Sequence, residues 1–322
     1  MPQSSIYYAV GRLSVLEKNA LDTAKLERLL QAPSAQEARR ILNEYNWPDV
    51  GSDEDNAKEH VKRACNLLKD LSTDEKLVQS FLIGFDIENL KILLKARSLE
   101  TEPGALSPCG TIALDRMRHA VNERKYDGFP DALKNALEHL ERRLAVDVDP
   151  MEIDTYLDKA HYQWIFSLVD SKQKVAFSYY QAKVDLLNTL MALRSMHAGK
   201  PFAFLQGMLL EGGHVKNAEW ERAYQKSEKI PLLVNRYGAK VYAAAIAAFM
   251  DKNKLAAFER EIDDYLLAFF TPYRRTIGEH ERLIGYLLMR SREASAVRLI
   301  LAGKENSFPM EAIRERLREL YG

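Results

Sequence analysis

Residues 81–97 carry the most informative pattern in the chain, Phe81-Leu-Ile-Gly-Phe-Asp-Ile-Glu-Asn-Leu-Lys-Ile-Leu-Leu-Lys-Ala-Arg97. An acidic residue, Asp86, is followed after two spacers by Asn89 and then by an apolar helical segment that ends in a basic residue. The same pattern returns in Val184–Arg194, with Asp185 and Asn188, and in Arg292–Lys304, with Ala296 in place of the asparagine. Because similar segments recur about 100 residues apart, the chain is predicted to contain an internal repeat.

Other features recur in the same order along the chain. A hydrophobe–acid–Arg triplet stands at 26–28, 114–116 and 220–222, and Ile-Asp-x-Tyr-Leu stands at 153–157 and 262–266. A glycine-marked turn follows each copy, at Gly104, at Gly212-Gly213 and around Gly303. The sequence therefore predicts three related helical lobes, over residues 1–106, 107–213 and 214–322. Three such lobes can close around a pseudo-threefold axis or stack as a solenoid, and the residues leave both arrangements open.

The composition favours an all-α protein. Only 15 glycines and 11 prolines occur in 322 residues, and strong helix formers are abundant. No run of strand length alternates between polar and apolar residues, so helices are predicted to hold well over half of the chain. Asp22 and Ser34 precede periodic segments and are predicted to cap helices.

Charge and cysteine content exclude several classes of protein. Lys and Arg number 46, as do Asp and Glu, so the net charge is zero and gives no overall basic field for nucleic acid. Two cysteines, Cys65 and Cys109, are too few for a disulfide framework, and they predict reduced thiols in a cytosolic protein.

The N-terminus lacks the pattern of a secretory signal. The longest apolar run, Val241–Met250, is too short to span a bilayer, so no integral membrane segment is expected.

Motifs that carry catalytic chemistry are missing from the sequence. It has no GxxxxGK[ST], GxGxxG, GxSxG, HExxH or EF-hand pattern, and no two of its seven histidines are spaced three or four apart. We therefore assign no catalytic, cofactor-binding or metal-binding residue and expect no small-molecule substrate. No partner-binding residue is assigned either.

Asp86 and Asn89 have two interpretations: a polar functional site at a helix start, or a helix cap or inter-helix hydrogen bond that anchors each lobe. Their equivalents Asp185 and Asn188 favour the anchor, since a packing element has reason to recur in every lobe and a catalytic residue does not. Trp47, Trp164 and Trp220 are core candidates, although Trp220 could instead contact a partner. The cluster Tyr273-Arg274-Arg275 is typical of a surface turn, with a weaker alternative of binding an anionic partner.

The repeat resembles a known family. The stretch 81–97 looks like the signature of the C subunit of prokaryotic V-type (A-type) ATPases, whose eukaryotic relative is the d subunit. Strings similar to the family's other motifs stand at 8–17, 153–158, 183–188, 283–289 and 297–304, so the resemblance covers nearly the whole chain. Two segments depart from the family pattern: Thr189–Arg194, and Ser295-Ala296 where Lys-Asn is common.

The resemblance implies a funnel of three helical lobes around a pseudo-threefold axis, with a central cavity. Such a protein sits on the cytoplasmic end of the membrane proteolipid ring, receives a shaft of two other subunits and couples shaft to ring. It has no catalytic site or cofactor, and it is held at the membrane only through the ring. The alternatives are a free helical-repeat scaffold or adaptor, and an all-α enzyme with an unrecognised carboxylate site.

Overall fold

The computed structural model describes residues 6–144, 149–318 and 320. Residues 1–5, part of the stretch tested for a secretory signal, lie outside the described residues. Within the described ranges the chain forms helices and turns and no strand, which confirms the predicted all-α class.

The helices follow one another along the whole described chain. The α-helices are α1 Ile6–Leu16, α2 Thr23–Gln31, α3 Ala35–Glu44, α4 Asp53–Leu71, α5 Glu75–Ser98, α6 Leu114–Glu123, α7 Asp131–Leu144, α8 Pro150–Leu168, α9 Lys174–His197, α10 Phe202–Met208, α11 Asn217–Gln225, α12 Ala239–Met250, α13 Leu255–Ala268, α14 Glu281–Glu305 and α15 Met310–Arg316. Short 3-10 turns occupy Glu17–Asn19, Ser227–Lys229, Pro231–Tyr237, Lys252–Lys254 and Thr271–Tyr273.

The three copies of the repeated segment lie in three long helices. α5, α9 and α14 have 24, 24 and 25 residues. Buried residues occur around most of the circumference of α14, from Leu283 to Gly303, so α14 is a buried helix rather than a surface helix. A helix that is buried on most sides loses the narrow apolar stripe of a surface helix.

The predicted helix starts are confirmed. Asp22 caps α2 by accepting a hydrogen bond from the backbone nitrogen of Lys25, and Ser34 caps α3 by accepting one from Glu37. Both side chains satisfy a backbone donor that has no partner inside its helix.

The chain divides into two compact units. Unit 1 consists of Met1–Val78 with Leu267–Gly322, and unit 2 of Gln79–Leu266. In unit 1, α3 and α4 pack on α14, and one apolar core takes Leu29 and Ile41 from one end of the chain and Val297 and Ile300 from the other. The division into lobes 1–106, 107–213 and 214–322 concerns sequence repeats and stays a prediction.

Unit 2 contains α6 to α12 and most of α5 and α13. α7 packs along α8, and α9 packs on the 3-10 turn Pro231–Tyr237 and on α12. Two ion pairs join α5 to α8: Lys91 to Asp158 at 2.7 Å and Lys95 to Asp154 at 2.6 Å.

The described helices include none that is both long enough and apolar enough to cross a membrane. The longest apolar run of the sequence forms most of α12, which has 12 residues.

Candidate functional site

A buried carboxylate on α5 holds a turn that lies about 25 residues further along the chain. Asp86 is 0% exposed and accepts hydrogen bonds from the backbone nitrogens of Thr111 at 2.7 Å and Ile112 at 3.0 Å. The Thr111 hydroxyl donates to the same carboxylate at 2.8 Å. One turn along the helix, Asn89 exchanges two hydrogen bonds of 2.8 Å with the backbone of Ser107. We call Asp86 and Asn89 the α5 anchor.

Glycine is required where the turn meets the α5 anchor. A Cβ atom on Gly110 would lie 2.1 Å from Oδ1 of Asp86, well inside van der Waals contact. Gly104, which the repeat pattern marks as the equivalent turn glycine, has ordinary space, with its nearest neighbour 3.9 Å away on Ile92. The glycine that the anchor needs is therefore Gly110 rather than Gly104.

The second copy repeats this arrangement on α9. Asp185 is 0% exposed and accepts from the backbone nitrogens of His214 at 3.0 Å and Val215 at 3.1 Å. Asn188 exchanges two hydrogen bonds of 2.9 Å with the backbone of Leu210. Asp185 and Asn188 form the α9 anchor. The predicted structural role in hydrogen bonding is confirmed in both copies, with a turn backbone as the partner. The predicted helix start and helix cap are wrong, because both pairs lie in the middle of their helices.

Two further residues complete the α9 anchor. A Cβ atom on Gly213 would lie 2.1 Å from Oδ1 of Asp185, the same distance as at Gly110. Tyr237 donates its hydroxyl proton to Oδ2 of Asp185. Burial, and then this hydrogen bond to a carboxylate, raise the pKa of Tyr237 far above its usual value, so the phenol keeps its proton.

The third copy, on α14, keeps the acid and changes its partners. Glu293 is 0% exposed and accepts from the backbone nitrogen of Leu21, from Nε2 of His60 and from Nη1 of Arg290, each at 2.8 Å. Ala296 replaces the asparagine and is 5% exposed. We call Glu293 with His60 and Arg290 the α14 anchor. Its turn residue, Leu21, comes from the opposite end of the chain.

Glu293 and His60 of the α14 anchor differ in ionisation, because Glu293 is charged and His60 is neutral. Burial opposes ionisation of Glu293, but the His60 hydrogen bond and the Arg290 charge outweigh burial and lower the pKa of Glu293. Burial also lowers the pKa of His60, although Glu293 opposes that shift. At neutral pH the arrangement is therefore a carboxylate paired with the Arg290 guanidinium and hydrogen-bonded by a neutral His60 that carries its proton on Nε2.

An open cavity of about 430 Å³ lies beside the α14 anchor in unit 1. Trp47 borders it and stacks on His60, with ring centroids 3.9 Å apart and planes inclined by 24°. The cavity wall also carries Arg12, Arg63 and Tyr286. The α14 anchor differs from the other two in the donors around its acid, because a histidine and an arginine side chain replace backbone donors.

The anchors have the chemistry of structural supports. Each acid is 0% exposed and accepts at least three hydrogen bonds, so its lone pairs are directed at donors of the protein itself. Among the described residues, no group of three or more His, Cys, Asp or Glu side chains could hold a metal ion.

The tryptophans lie in the core, as the sequence predicts. Trp47, Trp164 and Trp220 are 8%, 4% and 1% exposed. Trp220 is therefore enclosed by the protein rather than available at its surface. Tyr273 lies in the short turn Thr271–Tyr273 and is half-buried, with Arg275 exposed beside it.

Sequence reasoning missed the partners that come from far along the chain. His60 lies 233 residues from Glu293, and no local pattern links the two positions. Tyr237 lies 52 residues from Asp185. The recurrence of Gly110 and Gly213 was the available signal for the turns, because each follows its acid at a similar distance.

The anchors recur on all three long helices, and they define the class: an internally repeated, all-helical protein. A sequence model of the ATP synthase (C/AC39) subunit family matches residues 9–316. The chain is 24% identical to the C subunit of the A-type ATP synthase of Methanosarcina mazei, covering 98% of this chain and 93% of the relative. It is 21% identical to the C subunit of the V-type sodium ATPase of Enterococcus hirae, covering 95% of each. It is 22% identical to the C subunit of the A-type ATP synthase of a Desulfurococcus species, covering 96% and 89%.

The family match covers far more than half of the chain, including all three anchors. The chain therefore belongs to the ATP synthase (C/AC39) subunit family.

Proposed function

We propose that this protein is a non-catalytic central-stalk subunit of a rotary V-type ATPase or ATP synthase. It couples the rotor shaft to the membrane proteolipid ring during ATP-driven ion transport or ATP synthesis. The observation that supports this role is the family match over residues 9–316, since it extends through α5, α9 and α14 together rather than over one of them.

The proposed architecture is a funnel of three helical lobes, 1–106, 107–213 and 214–322, around a pseudo-threefold axis. Closure is supported by the hydrogen bond between Leu21 and Glu293, which joins the first lobe directly to the third. In an open solenoid each repeat contacts only its neighbours, so the first and third lobes would not meet. The central cavity of the funnel would receive the shaft, which is made of two other subunits.

The role is mechanical. Torque enters from the shaft and leaves through the ring, so the coupling part must resist deformation. Close-packed helices are stiff because their interiors have few voids. The three anchors add to this stiffness, since hydrogen bonds to a buried acid hold a turn against the middle of each long helix.

The proposal places the protein at the cytoplasmic face of the membrane as a peripheral part of the complex. Its partners there are the shaft subunits and the proteolipid ring, and it uses no nucleic acid, small-molecule substrate or cofactor. ATP chemistry belongs to the head of the complex, and the choice of transported ion belongs to the ring.

Affinity purification of the tagged full chain from gently solubilised membranes tests this function. Mass spectrometry should find the shaft subunits, the nucleotide-binding head subunits and the proteolipid with the chain. An equally tagged unrelated cytosolic protein from the same cells is the matched control. If the chain is recovered alone from cells that make the ATPase, the coupling role is wrong and a free helical scaffold replaces it.

A further inference from the structure

Helix α12 presents an apolar stripe to solvent. Ala243, Ile246, Ala247 and Met250 are all exposed, with Ile246 at 39% and Met250 at 75%. Their spacing of three and four residues puts them on one side of the helix. The opposite side, with Val241, Ala245 and Ala248, is buried. The helix therefore has a second apolar face that the fold does not cover.

The segment that carries this stripe is basic. Residues 226–254, which comprise α12 and the turns on both sides, contain six basic and two acidic side chains, a net charge of +4 in a chain whose total charge is zero. The basic side chains are all exposed; they are Lys226, Lys229, Arg236, Lys240, Lys252 and Lys254. No acidic residue lies within α12 itself.

We propose that α12 and its basic flanks bind directly to the surface of an anionic lipid bilayer. The apolar stripe would enter the boundary between headgroups and acyl chains, while the lysines at both ends pair with anionic headgroups. α12 has 12 residues and is about 18 Å long, too short to cross the hydrocarbon core, so it would lie parallel to the membrane.

A lipid surface fits this face better than a protein does. Protein interfaces carry about one hydrogen bond per 100–200 Å², yet the four exposed side chains of the stripe are two alanines, an isoleucine and a methionine. The charges of residues 226–254 are mainly positive, which complements the uniform negative charge of an anionic bilayer surface. Lysine side chains also extend naturally from an apolar surface towards headgroups.

The face is held firmly in unit 2, so binding does not require α12 to rearrange. His197, at the end of α9, donates from Nε2 to the carbonyl oxygen of Ala248 at 2.7 Å. The 3-10 turn Pro231–Tyr237 packs along the same helix.

Co-sedimentation of the full chain with vesicles tests the proposal. The chain should bind vesicles of phosphatidylcholine and phosphatidylglycerol, should bind pure phosphatidylcholine far more weakly, and should be released by salt. The vesicles contain no ATPase subunits, so the result does not depend on the proposed coupling function.

Paired variants separate the two contributions to binding. Lys252→Gln with Lys254→Gln should weaken binding roughly 25-fold, because each lysine near an anionic surface contributes about fivefold. Ile246→Ser with Met250→Ser should weaken it by about tenfold or more. All variants should keep the circular dichroism and thermal unfolding of the parent chain, since the changed side chains are exposed.

Two matched controls use comparable substitutions elsewhere in unit 2. Lys172→Gln with Lys174→Gln removes the same charge at the start of α9, about 35 Å along that helix from His197, which contacts α12. Leu99→Ser with Met151→Ser removes two other exposed apolar side chains. Both controls should bind anionic vesicles within about twofold of the parent chain.

Three outcomes would overturn the proposal. Binding that is equal on both kinds of vesicle, or unchanged in the α12 variants, would mean that this face does not recognise anionic lipid. Failure to bind either vesicle, together with binding of the purified proteolipid ring in detergent, would make a protein the partner. A dimer in analytical ultracentrifugation that only the α12 variants lose would make the partner a second copy of the chain.

Discussion

The backbone nitrogen of Leu21 donates to Oε1 of Glu293 at 2.8 Å, across 272 residues of chain. This bond is the α14 counterpart of the bonds that Thr111 makes to Asp86 and that His214 makes to Asp185. In those two copies the turn follows its helix, whereas on α14 the turn comes from the beginning of the chain. The two ends of the protein therefore fold as one unit.

The α5 anchor can be tested by deleting its acid. Asp86→Ala leaves the partly buried backbone donors of Thr111 and Ile112 without an acceptor, so we expect the free energy of unfolding to fall by about 2–5 kcal/mol. Urea denaturation measures this change. Glu88→Ala, at a position of the same helix with a 67% exposed side chain, is the matched control and should change stability by less than about 0.5 kcal/mol. Equal effects of the two substitutions would mean that Asp86 anchors nothing.

The close approach at the α9 anchor predicts opposite signs for two glycine substitutions. Gly213→Ala would place Cβ 2.1 Å from Oδ1 of Asp185, so we expect a loss of about 1–3 kcal/mol in unfolding free energy. Gly207→Ala, inside α10, meets no atom within 4 Å and should raise stability by about 0.5–1 kcal/mol. Thermal unfolding compares the two. A Gly213→Ala protein as stable as the parent would contradict the described packing.

Glu293 should be more costly to neutralise than an exposed glutamate of the same helix. Glu293→Gln leaves the buried Arg290 without its charge partner, and we expect a loss of about 3 kcal/mol. Glu305→Gln breaks an ion pair with Arg39 whose glutamate side chain is 50% exposed, and it should cost less than about 1 kcal/mol.

A double-mutant cycle isolates the contact between Glu293 and His60. Combining Glu293→Gln with His60→Gln should give a coupling energy of about 0.5–3 kcal/mol, because the two side chains are hydrogen-bonded partners. Additive effects of the two substitutions in urea denaturation would show that the histidine does not support the acid.

Protonation of His60 should contribute to the pH dependence of the unfolding free energy. Burial lowers its pKa in the folded protein, with Glu293 opposing, so below about pH 6.5 the unfolded chain binds the proton more readily than the folded one. The free energy of unfolding should therefore fall as the pH drops through about 6.5. His60→Gln should reduce this fall between about pH 7.5 and 5.5. Part of the fall should remain, because burial also lowers the pKa of His161, to about 3. The lowered pKa of Glu293 adds stability that is lost only below about pH 4.3.

Urea denaturation across this pH range compares His60→Gln with the parent chain. The exposed histidine His119 in α6 supplies the matched substitution, His119→Gln. A His60→Gln protein that keeps the full slope of the parent would contradict the buried, neutral state of His60.

The sequence was sufficient for features that depend on nearby residues. Asp22 and Ser34 could be predicted as helix caps because a cap and its donor lie three residues apart. The three long helices could be predicted because apolar residues recur along each of them. Asp86 and Asn89 could be interpreted as an anchor because the same pair recurs at Asp185 and Asn188, which gives internal support from within one chain.

The sequence was insufficient for features that depend on the folded chain. Nothing local indicates that His60 approaches Glu293, since only packing of α4 on α14 brings them together. Ala296 also obscured the third anchor, because the asparagine that marks the other two is missing. The sequence leaves Trp220 as either a core residue or a contact residue. Its exposure of 1% in the folded chain places it in the core.

Ion transport per ATP hydrolysed shows whether this chain couples the shaft to the ring. The complete complex is reconstituted in proteoliposomes with the chain, without it, and with the chain added back. We expect that the complex without the chain hydrolyses ATP but moves no ions, and that adding the chain back restores transport. Transport that continues at the same ratio without the chain would mean that the chain does not couple shaft and ring.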